Sequence, residues 1–292
     1  MVETILVTGC NGQLGSELKN LSFKKIHAIF FTDSKNLDIT KKNKVENFII
    51  NNNIKIIINA AAYTDVNKAE IEIERANEIN AEGVKNLVEL SEKYNCKLIH
   101  YSTDYVYDGL SKSPIDEGLK TNPLNNYGVS KRKGELFIEN SSCESIVIRT
   151  SWLYSKYGNN FVNTIINKAK SKKKINVVND QFGCPTSAKD LAKDTIDILN
   201  SKKRLDRFGK IFNYSNSGST NRSNFALKII ELLNLNCEIN EVPTLFFKSN
   251  VNRPKYSVTN KSKIISAFNL QIPAWEDSLK IYLTNFKSWK MY

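Results

Sequence analysis

The chain has 292 residues, 41% hydrophobic and 25% charged, an ordinary balance for a globular protein. That length suits one large domain, or a nucleotide-binding domain with a smaller partner, and can bury a full core without staples. The net charge of +12 comes from dispersed lysines, Lys172–Lys174 being the longest lysine run. A solvated basic face, or attraction of a small anionic substrate, is therefore expected ahead of nucleic-acid binding.

Five scattered cysteines (Cys10, Cys96, Cys143, Cys184, Cys237) with no C-x-x-C point to reduced thiols in a cytoplasm and not to a disulfide framework or zinc ribbon. With only His27 and His100, histidine-rich metal sites and His-based nucleophile systems are not expected. Met1–Val7 runs into a strand with no basic n-region and no long apolar stretch, so neither a signal peptide nor a membrane span is expected.

In chain order, the apolar run Thr4–Val7 closes on Thr8-Gly9, and helix-compatible residues follow from Gln13. Between them, Gly9-Cys10-Asn11-Gly12-Gln13-Leu14-Gly15 has the spacing of a dinucleotide-binding turn. One glycine allows the tight turn, one lets backbone approach a pyrophosphate, and one lets the helix pack on the strand. A second strand, Lys25–Phe31, ends at Thr32-Asp33. An acid at that place either accepts hydrogen bonds from an adenosine ribose or caps a turn. Leu37-Asp38-Ile39-Thr40 follows in a loop able to cover an adenine. A helix over about 43–52 and a strand over 55–58 lead to Asn59-Ala60-Ala61-Ala62-Tyr63-Thr64. Its three alanines leave room for a flat ligand or serve packing, and composition does not separate the two.

Glu72–Tyr94 reads as one long amphipathic helix carrying Asn80, and a strand over 97–101 ends in Ser102-Thr103-Asp104. A polar loop, Asp108–Pro123, precedes a helix bearing Tyr127 and Lys131. After a strand over 145–148, Arg149–Tyr154 leads to Gly158–Phe161, a helix to about Lys170 and a strand over 175–178. Beyond about residue 200 the elements read as shorter and less regular, with Arg253-Pro254-Lys255-Tyr256-Ser257 in a loop before the final helices. Strands alternating with helices, each strand ending in small or polar residues, predict an α/β doubly wound parallel sheet that is Rossmann-like. It is expected to bind ligands at its carboxyl edge. The dinucleotide-binding domain is placed at 1–150 and a smaller, mainly substrate-binding region at 151–292, with segments passing back to the sheet.

Tyr127-x-x-x-Lys131 is the sole Tyr-x-x-x-Lys among 12 tyrosines. The i,i+4 spacing puts both side chains on one helix face. A phenol titrates near pH ~10, and a cation about 4 Å away is worth roughly 4 kcal/mol at an effective dielectric of 20. That would lower the phenol by about two units, toward general acid-base use. A surface i,i+4 pair is the bland alternative for so short a pattern.

Taken together, the glycine turn, Asn59–Thr64, Ser102–Gly109, the Tyr127/Lys131 pair, Trp152-Leu153-Tyr154, Asp180–Thr186 and Arg253–Ser257 resemble the extended short-chain dehydrogenase/reductases. Within them they look most like the dTDP-4-dehydrorhamnose reductase family. Tyr107 stands where that family often has Phe, and Cys184 where it often has Ser or another small residue. The resemblance implies an NADH- or NADPH-dependent reductase of a nucleotide-linked ketosugar, with Thr103, Tyr127 and Lys131 as the catalytic set. Tyr127 would be the proton donor, and Lys131 would lower its pKa and hold the nicotinamide ribose. Gly9, Asn11, Gly12, Gln13, Leu14, Asp33, Asp38, Ile39, Ala60, Ala61 and Tyr63 would serve the cofactor. Thr103, Asp104, Trp152 and Arg253 would serve the substrate. Asp33 favours NADH. Some relatives pair through magnesium-bridged glutamates, which raises Mg2+ and a homodimer as expectations without assigning any ligand in this chain. The alternatives are a reductase of another nucleotide-linked 4-keto-6-deoxy sugar and a non-catalytic dinucleotide-binding regulatory subunit. A nucleic-acid or membrane partner is not expected.

Overall fold

The computed structural model describes residues 3–21, 28–201 and 203–289, with side chains through residue 285. The start of the expected second strand (25–27), His27 and the first two residues lie outside the described residues.

Continuous apolar runs build the central sheet. Strands β1 (Thr4–Thr8), β2 (Ala28–Phe31), β3 (Ile56–Asn59), β4 (Lys97–Thr103) and β5 (Ser145–Thr150) join the strand Ile211–Tyr214 in the order Ile211–Tyr214, β5, β4, β3, β1, β2. Every neighbouring pair is parallel. Along β1, Ile5 and Val7 face one apolar layer with Ile56, Ile58, Ile99 and Ile146. Leu6 faces the other with Ile57, Leu98 and Val147. The period of two thus divides a buried strand between two helix-covered faces. Register aligns Thr8 with Asn59 and Thr103 with Thr150, so the polar strand ends share one edge.

Helices α1 (Gln13–Asn20), α2 (Lys42–Asn51), α3 (Ile73–Asn77), α4 (Gly83–Tyr94) and α5 (Asn126–Glu139) connect these strands. The single helix expected over 72–94 is interrupted: Glu78–Glu82 form a π segment between α3 and α4. Asn80 in that segment accepts from the Tyr63 amide at 2.8 Å and donates to the Tyr63 carbonyl at 2.9 Å and to Ser130 Oγ on α5 at 3.0 Å. The widened turn thereby ties the loop after β3 to α5, as such bulges often do beside functional sites.

Helices α6 (Phe161–Ser171), α7 (Ala188–Asn200), α8 (Arg222–Leu233), α9 (Ser262–Phe268) and α10 (Trp275–Trp289) complete the chain. A parallel pair of strands, Lys174–Val178 and Glu238–Val242, packs with α6 and α8 around Tyr154, Val162, Phe225 and Ile229. The regularity expected to fade beyond residue 200 does not: α8 has 12 residues and α10 has 15. Asn221 caps α8 by accepting from the Asn224 amide, and Phe225, Ala226 and Ile229 give that helix a buried stripe at helical spacing. Leu191 and Ala192 of α7 and Ile264 and Phe268 of α9 belong to the core of the central sheet. Among the described residues, no helix is long and apolar enough to cross a membrane. All five cysteines are free and buried.

Candidate active site

The site grows from the carboxyl edge of the sheet. Gly9 sits at φ +66°, and a Cβ there would lie 2.6 Å from the Ala60 carbonyl and the Ala61 amide, so the glycine turn rests directly on the end of β3. Gly12 caps α1 with no side chain engaging the first-turn amides, which face outward as donors. Gly12, Gln13 and Leu14 line a cleft of about 330 Å³ with Ala60, Ala61, Thr103, Asp104, Tyr127, Lys131 and Trp152. Both glycine turn and alanine run therefore serve close packing and the cleft wall together.

Several expected cofactor residues have other engagements. Gln13 Oε1 accepts from Asn160 Nδ2 at 2.9 Å, tying the glycine turn to the second region. Asp33 caps its own turn, Oδ1 accepting from the Lys35 and Asn36 amides at 3.0 Å, while Oδ2 accepts from Asn11 Nδ2 at 2.5 Å. Asp38 caps the next turn by accepting from the Thr40 amide. The Ile39 side chain is core, 3% exposed and pressed against Gly83. The Tyr63 phenol donates to Glu72 Oε2 at 3.0 Å, while its backbone amide donates to Asn80 Oδ1.

Helix α5 presents Tyr127 through several constraints. Asn125 Oδ1 caps it at the Gly128 amide, and Glu70 accepts from the Asn126 amide at 2.7 Å. A Cβ on Gly128 would come within 2.3 Å of the Tyr105 carbonyl, so helix and loop touch as closely as backbone permits. Tyr127 and Thr103 line the cleft together, and the Tyr105 ring meets the Tyr127 ring edge-on at 5.9 Å. Burial, with Asp104 and Tyr105 adding to it, pushes the phenol well above its usual range. No lowering by Lys131 accompanies it. Lys131 Nζ turns toward the sheet, donating to the Tyr101 carbonyl at 2.6 Å and lying 3.2 Å from His100 Nε2. Burial brings the Lys131 pKa down to about 8, Glu135 opposing.

Asp104 is 2% exposed. Thr103 Oγ1 donates to its Oδ1 at 3.2 Å, and burial raises its pKa to about 6 against the pull of Ser257, Arg222 and Thr103. Among the described residues its Oδ2 has no partner, nor have the buried hydroxyls of Ser102 and Thr150, and all three residues line the cleft. Buried polar atoms of this kind ordinarily meet a partner, and here they suit the polar groups of a bound ligand.

Trp152 adopts φ +44°, an uncommon conformation for a bulky residue. Its ring lies against Gly183, and the Arg222 guanidinium stacks over it at 3.6 Å. Arg222, absent from the expected set, opens α8 and borders both this cleft and an adjoining cavity of about 690 Å³. A lone arginine in an unremarkable Asn-Arg-Ser stretch carries no local sequence signal. Arg253 lines the larger cavity with Phe161, Lys168 and Gln181, and donates to Asn67 Oδ1 at 2.8 Å across its mouth. Thr103, Asp104, Tyr127, Lys131 and Trp152 thus meet in one cleft, with Arg253 next door. Among the described residues, no group of three or more His, Cys, Asp or Glu side chains is gathered to hold a metal ion.

Residues 3–288 match the family model described as the RmlD substrate binding domain. The chain is 35% identical over 288 residues to the dTDP-4-dehydrorhamnose reductase of Aggregatibacter actinomycetemcomitans, covering 94% of this chain and 97% of that one. It is 34% identical over 279 residues to the spore coat polysaccharide biosynthesis protein SpsK of Bacillus subtilis, covering 96% of each. The crystal structure of the Bacillus anthracis dTDP-4-dehydrorhamnose reductase in complex with NADP superposes with a TM-score of 0.92 at 37% identity, covering 98% of this chain and all of that one.

Proposed function

The chain belongs to the RmlD substrate binding domain family, and from that premise we propose that it reduces dTDP-4-dehydro-β-L-rhamnose to dTDP-β-L-rhamnose with NAD(P)H. This supplies a precursor for cell-surface polysaccharide. The observation that carries the chemistry is that Tyr127, Thr103 and Lys131 line one cleft whose wall is the glycine turn.

The first-turn amides of α1 and the Gly9–Gly12 turn suit a pyrophosphate, Ala60 and Ala61 a flat ring system, and Lys131 a ribose. When bound, the nicotinamide cofactor supplies the hydride. Thr103 and Tyr127 hold the ketone oxygen, so their donors meet the negative charge that grows there. Tyr127 then gives that oxygen its proton, completing the alcohol. A phenol kept protonated by burial is already in the form a reduction needs. Asp104 receives a sugar hydroxyl, and Trp152, already stacked by Arg222, borders the pyranose ring.

The adjoining 690 Å³ cavity suits the nucleoside diphosphate, with Lys168, Arg222 and Arg253 as its cations and Phe161 as a ring for the base. The +12 net charge favours encounter with such an anion and weakens with salt.

Asp33 gives NADH the advantage over NADPH by repelling a 2′-phosphate, tempered by Lys35 beside it. Steady-state kinetics with both cofactors read this. A higher kcat/KM for NADPH would leave Asp33 as a turn cap alone.

The activity is tested by coupling the chain to the upstream dehydratase and epimerase with dTDP-glucose and reading products by NMR. dTDP-rhamnose should form only with this chain and reduced cofactor. A 6-deoxy-talose product, or use of UDP- or GDP-linked ketosugars alone, would assign the same cleft to another 4-keto-6-deoxy sugar.

A further inference from the structure

His100 is fully buried on β4, three residues before Thr103, and the reduction just described makes no use of it. Its hydrogen bonds determine which nitrogen carries the proton. The Ala61 amide donates to Asn59 Oδ1 at 3.2 Å, and Thr8 Oγ1 donates to the same oxygen at 2.7 Å. A backbone amide can only donate, so the Asn59 side chain is fixed with its oxygen toward Ala61 and its Nδ2 toward His100. Asn59 Nδ2 lies 2.9 Å from His100 Nδ1, which must therefore accept. Burial, with Lys131 adding to it, keeps the ring neutral, so its one proton sits on Nε2.

That Nε2–H faces Lys131 Nζ at 3.2 Å. An ammonium offers only donors, and a donor against a donor inside the protein is repulsive. A neutral amine meets both contacts: its lone pair accepts from Nε2–H while it donates to the Tyr101 carbonyl at 2.6 Å. The charged neighbour favouring the ammonium is Glu135, one turn along α5. Its carboxylate is engaged by Arg149 at 2.7 and 2.9 Å and by Arg132 at 2.9 Å. Tyr127, one turn back on α5, is a protonated phenol and brings no charge.

We propose that His100 is a positioning residue that holds Lys131 as an uncharged amine, drawn back against the sheet, until a bound cofactor offers ribose oxygens that charge it and bring it into the cleft. The second half rests on the reductase reading; the first does not. It gives a reason why the lysine expected beside Tyr127 lies behind it here. Cofactor binding and activation of the proton donor become one event, accompanied by uptake of a proton.

The test uses the full chain labelled with 15N-histidine, without cofactor. Only His27 and His100 contribute signals, and a His27→Gln variant assigns them. At pH 9, where Lys131 is the free amine, His100 is expected as the neutral Nε2–H tautomer. An Nδ1–H tautomer, or a titration near the ordinary histidine value, overturns the proposal. Calorimetry of NADPH binding in buffers of different ionisation enthalpy reads the second half. Wild type should take up close to one proton per site at pH 9 and almost none at pH 6.5. In His100→Gln the amide oxygen can accept from a lysine ammonium, so uptake at pH 9 should fall at least two-fold. Unchanged uptake in that variant refutes the role given to His100. No binding heat in wild type would count against the reductase reading, a result separate from the tautomer, which is read without cofactor and also stands if the variant fails to fold.

Discussion

Replacing Asp104 by Asn should stabilise the protein at neutral pH while impairing its work. The carboxylate is 2% exposed, one of its oxygens has no partner among the described residues, and burial raises its pKa from 3.8 to about 6 despite Ser257, Arg222 and Thr103. An acid whose folded pKa exceeds its unfolded one binds more protons folded than unfolded between those values, so stability falls as pH rises through that window. The penalty is absent below about pH 4 and complete above about pH 6. A shift of about two units at 1.36 kcal/mol each comes to about 3 kcal/mol. Asparagine has the shape of the neutral acid, so Asp104→Asn should gain about 2–3 kcal/mol at pH 7.5 and nothing at pH 4, read from urea unfolding at both. Its kcat/KM should drop if Asp104 receives a sugar hydroxyl as proposed, because a desolvated carboxylate is a stronger acceptor than an amide. A variant less stable than wild type at pH 7.5 would show that Arg222 and the hydroxyls outweigh desolvation, and would refute this reasoning.

Two further substitutions probe the support of α5. Glu135→Gln leaves Arg149, itself 2% exposed, without its counter-charge and should cost about 3–5 kcal/mol in denaturant unfolding; a loss under about 1 kcal/mol would make the pair incidental. Gly128→Ala drives a Cβ to 2.3 Å from the Tyr105 carbonyl and should displace Tyr127, lowering kcat about 100-fold, whereas kcat within three-fold of wild type would mean that the contact relaxes freely.

The parts legible in the sequence were those whose chemistry is local. A glycine turn between a strand and a helix, and a tyrosine one turn before a lysine, carry their geometry in their spacing. So do the apolar strands of the sheet, whose two-sided burial shows as unbroken Ile, Val and Leu runs. What spacing could not convey was where a side chain turns once neighbours from distant segments arrive. Lys131 is on the expected face, yet His100 and the Tyr101 carbonyl draw it away from Tyr127. Asp33 ends the expected strand, but turn amides and Asn11 occupy its oxygens. Arg222 reaches Trp152 only because α8 begins beside Gly183, to whose strand the residue pair before α8 is hydrogen-bonded. Tyr107, where the family often has Phe, earns a place through its hydroxyl, which donates to Asn213 Oδ1 at 3.1 Å and accepts from Arg149 at 2.9 Å. That hydroxyl belongs to the network behind α5 and not to the cleft.

The central claim is that Tyr127 protonates a ketone in a nicotinamide-dependent reduction. It is tested most directly by following NADPH oxidation with the dTDP-linked ketosugar generated in place, comparing wild type with Tyr127→Phe and measuring NADPH affinity for both. The phenylalanine ring still packs against Tyr105, so affinity should stay within about three-fold while turnover falls about 10²–10⁴-fold, the usual worth of a general acid. A variant keeping more than about a tenth of the wild-type rate would contradict the account.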